Sequence, residues 1–255
     1  MGKTAYTETL ELAGRIIMEN GGETYRAEET ISMMGKAFGL EHAECFAVPS
    51  GVFISYRLDG ESESAIVRVR RKGTNLMRIN QVNQVSRSVV SGEMNVDEAL
   101  SELRRIACSP ARLAPWQSVL LVGLSSGGFA FMFGGGWVDF AVAFIVAALV
   151  HALGLFFEKH GLTGFLVTLV CGLFTALLPT VFHNLTQLGS SSAMIAGALM
   201  PLVPGVAMTN AIQDTLRGDL LSGVAHAVQA ILTATLMAVG ALLGMTLLQM
   251  MGGVL

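Results

Sequence analysis

Apolar positions in the second half of the chain merge into uncharged runs. Residues 113–138, 140–157, 160–213 and 220–255 contain no Asp, Glu, Lys or Arg, giving runs of 26, 18, 54 and 36 residues. About 20 apolar residues cross the roughly 30 Å hydrocarbon layer of a bilayer, where a charged group costs on the order of 3 kcal/mol. The pattern predicts membrane spans near 116–135, 138–157, 162–182, 193–212 and 224–250. The 54-residue run divides at Asn184-Leu-Thr-Gln-Leu-Gly-Ser-Ser-Ser192, a string of turn formers, and Gly134-Gly-Gly-Trp137 makes the first turn.

Before residue 115 the periodicity is that of a water-exposed domain. Ala27, Ile31, Met34 and Phe38 repeat along one helical face, and Gly21-Gly22 separates this helix from one near residues 6–19. Val52-Phe-Ile-Ser-Tyr56 and Ala65-Ile-Val-Arg-Val69 alternate like half-buried strands joined at Asp59-Gly60. Two more helices follow, the last with Asn95 and Glu98 spaced as a capping box ahead of Val96, Leu100, Leu103 and Ala107. The order is ααββαα, with room for a third strand near 44–48. The expected fold is an α-helical membrane protein: a small α+β cytoplasmic domain (1–113) precedes a transmembrane domain of five helices (114–255).

Charge sharpens this division. Residues 1–115 hold 29 of the 35 charged side chains, 14 basic against 15 acidic. Such a balance argues against nucleic acid as a partner, and the basic run Arg68, Arg70, Arg71, Lys72 reads as a solvated strand end. Arg104, Arg105 and Arg112 precede the first span, Lys159 lies between the second and third, and Arg217 lies between the fourth and fifth. The loops 134–137 and 184–192 carry no positive charge. Positive charge accumulates on the cytoplasmic side, which puts the N-terminal domain in the cytoplasm and Leu255 outside. Met1–Thr30 has no apolar core of signal-peptide length. Cys45, Cys108 and Cys171 form no CxxC, so neither a disulfide framework nor a metal site is expected, and no cofactor.

Catalytic constellations are hard to assemble. Ser50 in Pro49-Ser-Gly51 reads as a turn, His42 is the one histidine of the first half, and Glu23, Glu28 and Glu29 read as charges at a helix start. The membrane half is more specific. Pro201 and Pro204 each remove a backbone donor and Gly205 loosens the same place, so the fourth span is expected to break there. In lipid a broken helix survives where protein or water satisfies the freed groups, and transporters use such breaks to bind polar cargo. Thr209, Asn210 and Asp214 follow within three turns. The candidate substrate-binding residues are therefore Pro204, Gly205, Thr209 and Asn210, with a kinked packing helix as the competing reading; Asp214, one turn beyond Asn210, is a further candidate, with a boundary marker near the cytoplasmic face as its competing reading. His151 and His226 are candidates for proton relays or for interhelical hydrogen bonds. Gly123, Gly127, Gly128, Gly240 and Gly244 read as close helix contacts, Asp139 as a helix-start carboxylate, Asp219 as a cap and Glu158-Lys159 as a solvated loop.

The stretch from Pro204 to Gly223, Pro-Gly-Val-Ala-Met-Thr-Asn-Ala-Ile-Gln-Asp followed by Gly-Asp-Leu-Leu-Ser-Gly, resembles the signature of the threonine/serine exporter family. The resemblance extends to Gly21-Gly-Glu-Thr-Tyr-Arg-Ala-Glu-Glu29 and to Gly135-Gly-Trp137. It implies export of small polar metabolites, threonine and serine for fused members and succinate for split ones. It further implies that this chain is the longer subunit of the split form, completed by a second, smaller membrane subunit, with room for a higher oligomer. A bacterial inner-membrane location surrounded by lipid follows from the same likeness. No Walker loop is present, so the energy source would be a gradient. A membrane-anchored sensor or regulator without transport activity is the alternative.

Overall fold

The computed structural model describes residues 3–70, 73–110, 113–162 and 164–250. The chain divides into two compact units, Met1–Pro110 with Gly205–Gln229, and Ala111–Pro204 with Ala230–Leu255. Of the charges that set the expected topology, Arg112 lies outside the described residues, as do Arg71 and Lys72 of the basic run.

The first unit opens with α1 (Lys3–Glu19) and α2 (Thr24–Ala37), followed by β1 (Glu41–Val48), β2 (Gly51–Leu58), β3 (Glu61–Arg68), α3 (Leu76–Val90) and α4 (Val96–Cys108). The three strands form one antiparallel sheet in the order β1-β2-β3, and the apolar stretch at 44–48 lies within β1. Asp59 and Gly60 both have positive φ (53° and 80°), the geometry of a two-residue hairpin turn whose twist suits the flanking strands. Pro49-Ser50 turns between β1 and β2. Val52, Ile54 and Tyr56 alternate onto the buried side of β2 and join Leu10, Ile17, Ile31, Met34 and Leu103 in the core. At the start of α4 the Asn95 side chain accepts from the Glu98 amide at 3.0 Å, and the Glu98 carboxylate accepts from the Asn95 amide at 2.9 Å. That capping box contributes about 1 kcal/mol.

The second unit contains α5 (Pro115–Met132), α6 (Trp137–Lys159), α7 (Gly164–Thr186) and α8 (Ser191–Leu199), which end at a 3-10 turn over Met200–Leu202. The chain continues as α9 (Gly205–Leu216) and α10 (Leu220–Met250). Helix overlaps each expected span, but α5 ends at Met132 and the fourth region is interrupted at Val203-Pro204. By length and hydropathy α6, α7 and α10 can cross a membrane, and a fourth crossing exists if Ser191–Leu202 and Gly205–Leu216, bent by 57° at their break, count as one. Five are not reached by this measure, because Gln117, Ser118, Ser125 and Ser126 dilute the 18 residues of α5. Glu158 and Lys159, expected in a loop, are instead the exposed last residues of α6.

Close backbone approach holds the second unit together. A Cβ on Gly240 would lie 2.2 Å from the Leu169 carbonyl, one on Gly244 2.5 Å from that of Leu173, and one on Gly172 2.6 Å from that of Met237. Small residues let α7 and the end of α10 touch along two turns, which increases dispersion contact where the hydrophobic effect gives no drive. Gly123 and Gly127 do the same against Phe144 and Phe140 of α6. Gly128 departs from expectation: it faces open space. Asp139 starts α6 as expected. Its carboxylate accepts from the amides of Gly136 (2.7 Å) and Ser190 (2.6 Å) and so ties the first turn of α6 to the loop before α8.

Candidate functional site

Two segments far apart in sequence meet inside the first unit. The earlier one begins where α1 ends. Gly21 has φ +85°, and the Gly22 amide bonds the Ile17 carbonyl at 3.0 Å, a glycine-terminated helix end. A side chain on Gly22 would strike the Ile17 side chain at 2.5 Å, so the chain turns tightly into α2 and buries Thr24 in its first turn. The later segment is the hairpin of α9 and the start of α10. Gly218 has φ +91° in its turn, and a Cβ on Gly223 would lie 2.3 Å from the Thr215 hydroxyl.

Asn210, Ala211 and Asp214 form the buried face of α9. The Asn210 amide donates to the Gly21 carbonyl at 3.3 Å. One turn later, Asp214 has no exposed surface. Its Oδ1 accepts from the Thr24 hydroxyl at 2.9 Å, and its Oδ2 lies 2.9 Å from His226 Nδ1. A buried carboxylate needs such partners, because desolvation of an unpaired one costs several kcal/mol. The Thr24 hydroxyl also lies 3.4 Å from Asp219, immediately before α10, and the Ser222 hydroxyl bonds the Ala47 carbonyl at 3.4 Å. Glu28 accepts from the Ala47 amide at 2.8 Å. Burial pushes the Glu28 carboxyl above its ordinary range; the Ala47 bond opposes this, and the charges of Asp219 and Asp214 add to the rise. Burial, aided by the Glu28 charge, pushes the neighbouring Cys45 thiol up to about 12.

Beside this polar junction lies a cavity of about 510 Å³. The first turns of α9 line it with Gly205, Val206, Thr209 and Asn210, and the opposite wall carries Gly21, Gly22, Glu23, Arg26, Asn80 and Asn83. Hydroxyl, carboxamide, guanidinium and carboxylate groups thus surround one space large enough for a small metabolite. Of the candidate substrate-binding residues, Gly205, Thr209 and Asn210 lie together in this lining. Asp214 faces the polar junction instead, and Pro204 lies outside the cavity lining. His226 makes the hydrogen bond to Asp214 described above, and His151 lies 3.2 Å from the Ser118 hydroxyl. The sequence pattern did not single out Arg26, Asn80, Asn83 or Thr24 as site residues. The signal for Thr24 and Arg26 was their place in Gly21–Glu29; Asn80 and Asn83 are polar positions on α3 with no motif around them. Among the described residues no group of three or more His, Cys, Asp and Glu is placed to hold a metal ion.

Apolar helices of membrane-crossing length beside a polar α+β unit define a multi-pass membrane protein. The family described as "Putative threonine/serine exporter" matches residues 8–248, and the chain belongs to that family of membrane exporters. It is similar to the "Probable succinate transporter subunit YjjP" of Escherichia coli, 26% identical over 98% of this chain and 97% of the relative. The threonine/serine exporter of Corynebacterium glutamicum is 24% identical over 86% of this chain, which spans 46% of that protein. Pheromone-regulated membrane protein 10 of Kluyveromyces lactis is 27% identical over 91% of the chain and 25% of its own length. No solved structure matches the chain.

Proposed function

We propose that this chain is the larger subunit of a two-component, gradient-driven exporter of a small polar or anionic metabolite in the bacterial inner membrane. The cargo is succinate or a related dicarboxylate, or threonine and serine, and a second, smaller membrane subunit completes the pathway. Five membrane segments carry it, the fourth being the broken α8–α9 pair, and the N-terminal α+β domain (1–113) is cytoplasmic. The orientation rests on Arg104, Arg105, Lys159 and Arg217, which all fall on one side.

One observation carries this reading: Gly205, Thr209 and Asn210 line a cavity of about 510 Å³ opposite Arg26, Asn80 and Asn83. Arg26 and Glu23, paired with each other at 2.9 Å, offer a cation for a carboxylate and an anion for an ammonium group, and the amides and hydroxyl complete either polar cargo. The two-subunit reading draws on the likeness to nearly the whole of a protein named as a transporter subunit. The test measures efflux of radiolabelled succinate and threonine side by side, in cells expressing this chain, the smaller subunit, or both. Efflux of one of them is expected only with both proteins present. Efflux from neither would sink the exporter reading, and full activity from this chain alone would remove the partner.

A further inference from the structure

A second cavity of about 400 Å³ lies in the first unit, sharing Arg26 and Asn83 with the first. Three arginines from three elements line it: Arg26 of α2, Arg87 of α3 and Arg217 of the α9–α10 turn. Glu29 is the one acidic residue in the lining. Arg26 is paired with Glu23 at 2.9 Å. Among the described residues, neither Arg87 nor Arg217 has a carboxylate within 4.0 Å. The Arg217 guanidinium stands 3.4 Å from the centre of the Tyr25 ring. That stacking occupies its face and leaves its N–H edge free for a ligand.

Ser86 supplies an independent sign. It lines the same cavity, is 2% exposed, and its hydroxyl has no hydrogen-bond partner. A buried hydroxyl without a partner is uncommon and calls for an acceptor or donor that the chain does not itself provide. Glu23 answers Arg26 and Glu29 is the one carboxylate in the lining, so three arginines against two carboxylates leave the cavity with net positive charge, which an anion would offset. A phosphate group offers three terminal oxygens and close to two negative charges, against the two coplanar oxygens and single charge of a carboxylate. Three arginines and a hydroxyl around one space match the former.

We propose that the Arg26–Arg87–Arg217 cavity binds a phosphate group. Its source is either a free phosphorylated metabolite or the headgroup of an anionic lipid. Leu216, Leu220 and Leu221, exposed on both sides of Arg217, make the lipid source worth a separate arm. The cavity shares Arg26 and Asn83 with the proposed cargo site, but Arg87, Arg217 and Ser86 belong to it alone, so variants at those three positions test phosphate binding separately from transport.

The test uses the full chain purified in uncharged detergent at low salt. Inorganic phosphate is titrated by equilibrium dialysis; in parallel, nanodiscs of phosphatidylcholine with or without phosphatidic acid are compared by thermal unfolding. Saturable phosphate binding is expected in one arm, or stabilisation by phosphatidic acid in the other. Arg87→Gln and Arg217→Gln should each weaken the response about tenfold, equivalent to about 1.4 kcal/mol. Ser86→Ala should weaken it about threefold, and Arg87→Lys should fall between Arg87→Gln and the native protein, since an ammonium keeps the charge without the bidentate geometry. Arg57→Gln, on the exposed side of β2, is the control and should change nothing. Response to inorganic phosphate assigns a free ligand, and response to phosphatidic acid alone assigns a headgroup. Response to neither probe, or equal affinity in the native protein and both glutamine variants, overturns the site.

Discussion

The Thr24 hydroxyl donates to Asp214 across 2.9 Å of space and 190 residues of sequence. This bond closes the junction between the Gly21–Glu29 turn and the α9–α10 hairpin. Asp214 is fully buried, so removing its donor leaves an acceptor that water cannot reach. Thr24→Val preserves shape and should cost about 1–3 kcal/mol. A double-mutant cycle with Asp214→Asn should give a coupling energy of about 1–3 kcal/mol in thermal unfolding of the full chain. Additive effects within about 0.5 kcal/mol would show that the bond contributes nothing.

The α7–α10 crossing makes a second prediction. At Gly240 a methyl group would meet the Leu169 carbonyl at 2.2 Å and the Leu173 nitrogen at 3.0 Å, both backbone atoms that cannot swing aside. Gly240→Ala must push the helices apart and should cost about 1–3 kcal/mol. Gly128→Ala meets open space and should be neutral, or stabilising by about 0.5–1 kcal/mol through helix propensity. Equal melting temperatures for the two variants would contradict the crossing.

Glu28 predicts the sign of a pH dependence. Its folded-state pKa is raised above the ordinary 4.5, mainly by burial. Its protonated form is therefore the one folding favours. The stability it contributes is fully present below the unfolded value and is lost as pH rises through the folded one. Glu28→Gln cannot ionise and retains an oxygen for the Ala47 amide. Its melting temperature should match the native protein near about pH 4 and exceed it increasingly toward about pH 7. A variant less stable than native at neutral pH would show that the charge itself is needed there.

Helices and strands were legible because their signals are local. Uncharged runs reported the apolar helices, alternation reported β2 and β3, and Asn95 with Glu98 reported a cap. The break after α8 was legible too, because Pro201 and Pro204 each remove a backbone donor within four residues. What stayed hidden is the side of α9 that is buried. Asn210 and Asp214 sit four residues apart on one face, and spacing alone does not say whether that face meets other apolar helices or the Gly21–Glu29 turn. Asn80 and Asn83 were invisible for a related reason: an asparagine on a polar helix face looks like any solvated residue until a cavity lies beside it. Gly128 shows the reverse error, since a glycine among glycines suggests contact and the position is open.

Thr209 and Asn210 separate binding from folding at the first cavity. Among the described residues the Thr209 hydroxyl bonds only the Gly205 carbonyl of its own helix, at 2.9 Å, and the residue is exposed. Thr209→Val should leave stability within about 0.5 kcal/mol of native. Because Thr209 lines the cavity, the same change should lower export several-fold, chiefly by raising the apparent KM. Asn210 lines the cavity and also holds the Gly21 carbonyl, so Asn210→Ala should reduce export and stability together, the latter by about 1 kcal/mol. Efflux rates over a range of internal cargo concentrations, set beside melting temperatures of the purified variants, distinguish the two patterns. If Thr209→Val exports with native kinetics while Asn210→Ala fails in proportion to its instability, the cavity does not hold the cargo, and α9 serves only to pack against the Gly21–Glu29 turn.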